Sequence, residues 1–251
     1  MAFRFFFLIH SNFVYMGQKK LERFAEIKTF ENVLEYPENM QSAWSGFFKN
    51  ENALILELAC GKGEYTLGLA KLYPERNFIG VDIKGNRIWR GAKTALNEGL
   101  KNAAFLRTQI ERIPEYFSKD EVSEIWLTFP DPHLPRVKWK KRLTSPRFLR
   151  LYRQILQQDG IVHLKTDSPV LYNFTKEVIK AYGLEIIKDN DDVYKTLHVS
   201  PELSIKTFYE SLDIAGFHKV HYLSFRLNKE LPVEKDNLLK QYVFEAVIPE
   251  Q

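Results

Sequence analysis

From Leu54 onward two patterns alternate along the chain. Short apolar runs bounded by Gly, Pro or Asn are followed by segments whose apolar residues recur every three or four positions. The first kind reads as buried strand, the second as amphipathic helix. Leu54-Ile55-Leu56-Glu57-Leu58 predicts a first strand ending at Cys60-Gly61-Lys62-Gly63, and Tyr65 to Leu72 a helix stopped by Pro74. Asn77 to Asp82 predicts a second strand. Asn86 to Glu98, with Ile88, Ala92 and Ala95 on one face and Gly99 beyond its end, predicts a second helix. Ala104 to Thr108 and Glu121 to Phe129 predict strands three and four, and Pro146 opens a helix reaching about Gln158. Ile161 to Lys165, Leu184 to Ile187 and Lys219 to Arg226 predict strands five to seven, with helices at Pro169 to Tyr182 and Leu203 to Ala215 between them. Gln241 to Ile248 alternates like an edge strand. The expected class is α/β: a doubly wound, mostly parallel seven-stranded sheet with helices on both faces.

Composition narrows this only slightly. At 251 residues, 45% hydrophobic and 27% charged, the chain suits one embellished globular domain rather than a disordered one. A net charge of +4 is too mild to imply nucleic acid by itself, so the distribution of charge matters more. The single cysteine excludes an intrachain disulfide and fits a reducing, cytoplasmic compartment. Phe3 to Ile9 is apolar but too short to span a bilayer, and Ser11 to Tyr15 makes a poor cleavage site, so neither membrane span nor signal peptide is expected. Met16 begins a more ordinary opening. Residues 1–18 are expected to be an extension adding little to the fold, 19–227 the domain, and 228–251 a C-terminal extension.

The residues suggestive of chemistry fall at the carboxyl ends of the expected strands, where open α/β sheets bind ligands. Glu57 through Gly63 forms a strand-to-helix turn with glycines where backbone must approach a ligand. Thr66 replaces the third glycine of a dinucleotide fingerprint, and the carboxylate of Glu57 would repel a pyrophosphate. Asp82 ends the next strand, where an acid accepts from both ribose hydroxyls. Together they favour S-adenosylmethionine over a dinucleotide, the alternative being a purely structural glycine turn. Thr128-Phe129-Pro130-Asp131-Pro132 sets a lone carboxylate at a strand mouth. Arg136, Lys138, Lys140, Lys141, Arg142, Arg147, Arg150 and Arg153 follow without an intervening Asp or Glu. That arrangement suits an enzyme acting on a polyanion; a turn beside a solvated face is the alternative. Trp139 is a candidate stacking surface, and Lys19, Lys20 and Arg23 could extend the footprint. His163 lies in an apolar run and reads as a core histidine. No His/Cys/Asp cluster has metal-ligand spacing, so no metal is expected.

The motifs Glu57–Gly63, Gly80-Val81-Asp82, Phe129-Pro130-Asp131-Pro132, Leu164-Lys165-Thr166-Asp167 and Thr207-Phe208-Tyr209-Glu210 occur in the order seen in bacterial tRNA (guanine-N7-)-methyltransferases. The resemblance covers residues 19 to 227. It implies a Rossmann-like class I methyltransferase fold, S-adenosylmethionine as cofactor and N7 of a variable-loop guanosine in tRNA as acceptor. By motif match Glu57, Gly61, Gly63, Asp82, Gln109 and Asp131 would contact the cofactor, and Arg136, Asp167, Thr207 and Glu210 the nucleotide. The chain departs from the family pattern at Ala59, where glycine is usual, and at Gln109, where an acid is common. It also departs at His133, which replaces a tryptophan, and at Pro135, which replaces a lysine whose role Arg136 could fill only through a one-residue shift.

Guanine N7 carries no proton, so methyl transfer to it needs no general base. It needs in-line placement of N7 against the activated methyl. Positive charge then leaves sulfur and appears on the purine, where a fixed carboxylate gains attraction, roughly 4 kcal/mol gross at about 4 Å and an effective dielectric of about 20. Asp131 is therefore expected to be the catalytic residue, with Asp167 and Glu210 reading guanine. Methyl transfer to another acceptor, and non-catalytic RNA binding on a methyltransferase scaffold, are the rival readings. No obligate protein partner is expected, the chain acting as monomer or homodimer.

Overall fold

In the computed structural model the described residues are 21–211 and 219–245. The expectations for residues 1–18, and for Lys19 and Lys20, lie outside them.

The strands are β1 (Val33–Glu35), β2 (Leu54–Leu58), β3 (Asn77–Asp82), β4 (Ala103–Arg107), β5 (Val122–Thr128), β6 (Leu156–Thr166), β7 (Glu185–Asn190) and β8 (His221–Arg226). They form an eight-stranded sheet in the order β1-β4-β3-β2-β5-β6-β8-β7. β1 to β6 are parallel, and β8 runs antiparallel to both β6 and β7. The order reverses between β2 and β5, so the crevice between their carboxyl ends is the topological switch point.

The strand pattern explains why both faces are covered. Leu54, Leu56 and Leu58 enter one apolar cluster with Ile79, Val81, Ile125, Leu127 and Leu164. Ile55 enters the other with Phe78, Phe105 and Trp126. Alternate residues of one strand thus feed two cores, the behaviour of a sheet buried on both sides. α2 (Trp44–Phe48), α5 (Pro146–Arg153), α6 (Pro169–Tyr182) and α9 (Asp236–Glu245) contribute to the first core; α3 (Glu64–Leu72) and α4 (Gly85–Asn97) cover the second. A helical segment at residues 21–27, α1, sends Ile27 into that second core. Local chemistry fixes the ends of α6: the Ser168 side chain accepts from the Leu171 amide, Pro169 opens the helix, and Gly183 closes it in the left-handed conformation.

Three expectations are corrected. The sheet has an eighth strand, because β1 is only three half-buried residues and carries no readable period. The helix expected from Leu203 to Ala215 breaks at residues 205–207 into α7 (Pro201–Ser204) and α8 (Phe208–Ser211); residues 212–218 are outside the described part. The edge strand expected from Gln241 is instead, through residue 245, the end of α9, and residues 246–248 lie outside the described part. Leu239 and Val243, four residues apart, are buried on one helical face, so α9 packs into the first core. Among the described residues no helix is long and apolar enough to cross a membrane.

Candidate active site

The turn after β2 is held by the carboxylate beneath it. Glu57 is buried, and its Oε2 accepts from the Thr66 amide at 2.7 Å and from the Thr66 hydroxyl, while Oε1 accepts from the Thr128 hydroxyl at 2.6 Å. One side chain thereby ties β2 to α3 and to β5 across the switch point. Burial pushes its pKa up to about 7, opposed by those three hydrogen bonds. Above this clamp, Ala59, Gly61 and Gly63 all take left-handed backbone, with φ of 59°, 59° and 75°. A side chain at Gly63 would also meet the Phe105 ring at 2.5 Å, so glycine is required there twice over. Ala59 occupies a conformation that costs an L-residue about 1–2 kcal/mol.

Asp82 joins this turn from the end of β3. Its two oxygens accept from the Gly61 amide at 3.0 Å and the Lys84 amide at 2.8 Å. Asp82, Ala59, Gln109 and Phe148 line a cleft of about 310 Å³ at the carboxyl ends of the strands, together with His133 and Lys141. Glu57 does not line it. Its carboxylate faces inward, so the motif's acid shapes the turn from below, whereas Asp82 and Gln109 face the cleft.

Asp131 does not line that cleft either, but it is two residues before His133, which does. Its side chain is 72% exposed, and Oδ1 accepts from the His133 amide at 2.8 Å. Phe129 and His133, on either side of Pro130-Asp131-Pro132, both have positive φ (47° and 43°). Two strained non-glycine residues around one carboxylate indicate a turn whose shape is imposed by its surroundings. The support is Arg142: buried, its guanidinium donates to the Pro132 carbonyl at 3.0 Å and the His133 carbonyl at 3.5 Å and sits 4.6 Å from the Phe174 ring.

The basic run therefore divides by role. Arg142 holds the turn; Arg150 donates to the Leu231 carbonyl and pairs with Asp236; Arg153 reaches the Leu156 carbonyl; Arg136 donates to the Phe244 carbonyl of α9. Lys138, Lys140, Lys141 and Arg147 remain exposed; Lys141 and Arg147 line the cleft, and Arg147 pairs with Glu111 at 3.6 Å. Trp139, expected as a stacking surface, is instead buried against Phe174.

The remaining motif residues follow the ends of β6 and α7. Asp167 is exposed, and its carboxylate has no partner among the described residues. Thr207 is buried and its hydroxyl accepts from the Glu210 amide at 3.2 Å. Glu210, expected to read guanine, has both oxygens engaged: Oε2 with Lys165 at 3.0 Å and the Thr207 amide at 3.3 Å, Oε1 with the Tyr194 hydroxyl. His163 is a core histidine, stacked on Trp126 at 4.0 Å and bonded through Nδ1 to the Tyr222 hydroxyl. Cys60 is buried, which pushes its thiol pKa well up and leaves it a packing residue. Among the described residues no cluster of His, Cys, Asp and Glu could hold a metal ion.

Residues 51–212 match the profile of a family described as "Putative methyltransferase". The chain is 48% identical over 223 residues to the tRNA (guanine-N(7)-)-methyltransferase of Christiangramia forsetii, covering 84% of this chain and all of that protein. This chain belongs to the tRNA (guanine-N7-)-methyltransferase family. Its relative of the same name in Bacteroides thetaiotaomicron is 46% identical over 86% of this chain and 88% of that protein. The fold extends further than the sequence family. The crystal structure of the 16S rRNA methyltransferase KamB superposes with a TM-score of 0.59 at 15% identity, covering 78% of this chain and 98% of that one. The motifs do not single out two of the supports just described, Arg142 and the pair Thr66 and Thr128.

Proposed function

We propose that this chain methylates N7 of a guanosine in tRNA using S-adenosylmethionine, and that the acceptor is the variable-loop guanosine. The residues present fit that cofactor. Asp82 is oriented by two backbone amides toward the cleft, where an acid takes a ribose diol, and the left-handed turn at Ala59, Gly61 and Gly63 lets backbone approach a ligand closely. Gln109 offers an amide at the same cleft. When bound, the cofactor supplies an electrophilic methyl group on a sulfonium.

Everything else is the work of side chains. Asp131 fixes the acceptor ring beside the cleft and stabilises the positive charge that the purine gains. Arg142 keeps that carboxylate in place. Asp167, with no protein partner among the described residues, accepts from the guanine N1–H and N2–H edge, which adenine lacks. Thr207 and Glu210 bound the nucleotide from the opposite side, and Arg136 steadies the basic segment by tying it to α9. Lys138, Lys140, Lys141 and Arg147 contact phosphates, which position RNA without reading sequence. The enzyme works in the cytoplasm as a monomer or homodimer without an obligate protein partner.

One observation carries the reading. Asp131 is hydrogen-bonded to His133, whose residue lines the same cleft as Asp82 and Gln109. The proposed acceptor carboxylate is thus bonded to the backbone of a residue that lines the proposed donor cleft. Calorimetry with S-adenosylmethionine, followed by methyl transfer to bulk tRNA and to bulk protein, tests it. Cofactor binding with tRNA-selective labelling is expected; absence of binding, or labelling of protein instead, would overturn it.

A further inference from the structure

Lys165 is the most deeply buried charge in the described part of the chain whose role the mechanism leaves open. It is 0% exposed, next to last in β6. An ammonium has three N–H donors and no acceptor. Here all three are used: Nζ donates to the Leu203 carbonyl at 2.9 Å, the Ile205 carbonyl at 2.8 Å and Glu210 Oε2 at 3.0 Å. Those acceptors belong to one stretch, residues 203–210, which carries Thr207 and Glu210 and is not a continuous helix.

The same residue reaches the other acceptor-side segments. Its carbonyl accepts from the Phe129 amide at 2.8 Å, at the entry to the Asp131 turn. Asp167 follows two residues later in the chain. Lys165 is therefore bonded both to the entry of the Asp131 turn and to the stretch carrying Thr207 and Glu210, and it stands two residues before Asp167. Burying a lysine carries a desolvation penalty that is offset only when partners fill its donors. Leu203 is buried in the second core and Ile205 fills the space over Gly68, so apolar contacts anchor residues 203–205 without the ammonium.

We propose that Lys165 is a positioning residue for methyl transfer, holding the Thr207–Glu210 stretch in register with Asp131 and Asp167 around the acceptor nucleotide. The inference rests on the reading of those residues as the acceptor side. Lys165→Met retains bulk and removes the three bonds. It is expected to lower kcat/KM for tRNA about a hundredfold, as a displacement of about 1 Å can, while S-adenosylmethionine affinity by calorimetry changes less than about threefold. Lys165→Gln, which restores two N–H donors for the carbonyls, is expected to recover part of the loss.

Thr207→Ala separates the two levels of the argument. If Thr207→Ala methylates tRNA like the wild type, the acceptor-side reading itself fails. If Thr207→Ala is impaired while Lys165→Met keeps wild-type kinetics, only the role of Lys165 fails. A parallel loss of cofactor affinity in Lys165→Met, or failure of both Lys165 variants to fold, would assign the residue to the fold alone and overturn the proposal.

Discussion

The two halves of the proposed site are built differently. On the proposed cofactor side the acids are held by their own chain: Glu57 accepts from Thr66 and Thr128, and Asp82 accepts from the Gly61 and Lys84 amides while each oxygen keeps a lone pair for a ligand. On the proposed acceptor side Glu210 is engaged by Lys165, Thr207 and Tyr194, but Asp131 is largely exposed, with a single backbone amide bonded to its carboxylate, and Asp167 has no partner among the described residues. A site for one invariant cofactor can be preorganised by internal bonds. A site entered by a large polyanion must keep its carboxylates open until the ligand closes over them. The contrast shows that an acid at a strand end is not in itself a ligand contact: Glu57 is turned inward on Thr66 and Thr128, whereas Asp82, though bonded to two amides, lines the cleft.

The largest effect should come from the open side. Asp131→Asn is expected to lower kcat by about 10²–10³, the range for losing one preorganised electrostatic group, with S-adenosylmethionine affinity within a few-fold of wild type by calorimetry. An equal loss in both would erase the distinction between the two sides. Arg142→Met should come next. It frees the Pro132 and His133 carbonyls and is expected to lower kcat at least about tenfold through misplacement of the Asp131 turn, measured in single-turnover methylation.

The cations sharpen the comparison further. Replacing Lys138, Lys140 and Lys141 together by Ala is expected to reduce the slope of log K against log salt for tRNA binding by about 2–3. Arg150→Gln, which breaks the pair with Asp236, should leave that slope unchanged and lower the melting temperature instead. A charge run is thus two populations, and a salt titration tells them apart.

On the cofactor side the expected effects are on stability. Glu57 has a folded pKa raised to about 7 from the ordinary 4.5, so the folded state holds the extra proton between those values. Its contribution is therefore fully present below about pH 4.5 and is lost as pH rises through about 7, the sign for a raised carboxylate. Glu57→Gln is expected to flatten that segment of the stability–pH curve in urea unfolding; an unchanged curve would place the titration elsewhere. The smallest effect is Ala59→Gly, expected to raise stability by about 0.5–1 kcal/mol by relieving left-handed strain.

Much of this was legible in the sequence. Continuous apolar runs bounded by turn residues revealed β2 to β5 and the second half of β6, whereas Leu156 to Gln158, expected to end a helix, begin β6 because α5 stops at Arg153. Gly61 and Gly63 marked the turn because only a ligand-facing or crowded backbone needs them. What was hidden depends on tertiary contact. Arg142 and Arg147 look alike in a run of cations, yet one is buried under the Asp131 turn and the other is exposed. Glu57 read as a ligand contact, because nothing in its neighbours announces that Thr66 and Thr128 converge on it. Gln241 to Ile248 alternated like a strand, but Leu239 and Val243 follow the helical repeat. Lys165 stood in a quoted motif without a role, since its three acceptors come from a segment 38 to 45 residues away.

Nucleoside mass spectrometry of tRNA incubated with S-adenosylmethionine and either the wild-type chain or Asp131→Asn tests the central claim most directly. The account expects 7-methylguanosine, mapped to the variable loop, with the wild type and almost none with Asp131→Asn. Methylation of a different nucleoside, or equal 7-methylguanosine from both proteins, would contradict it.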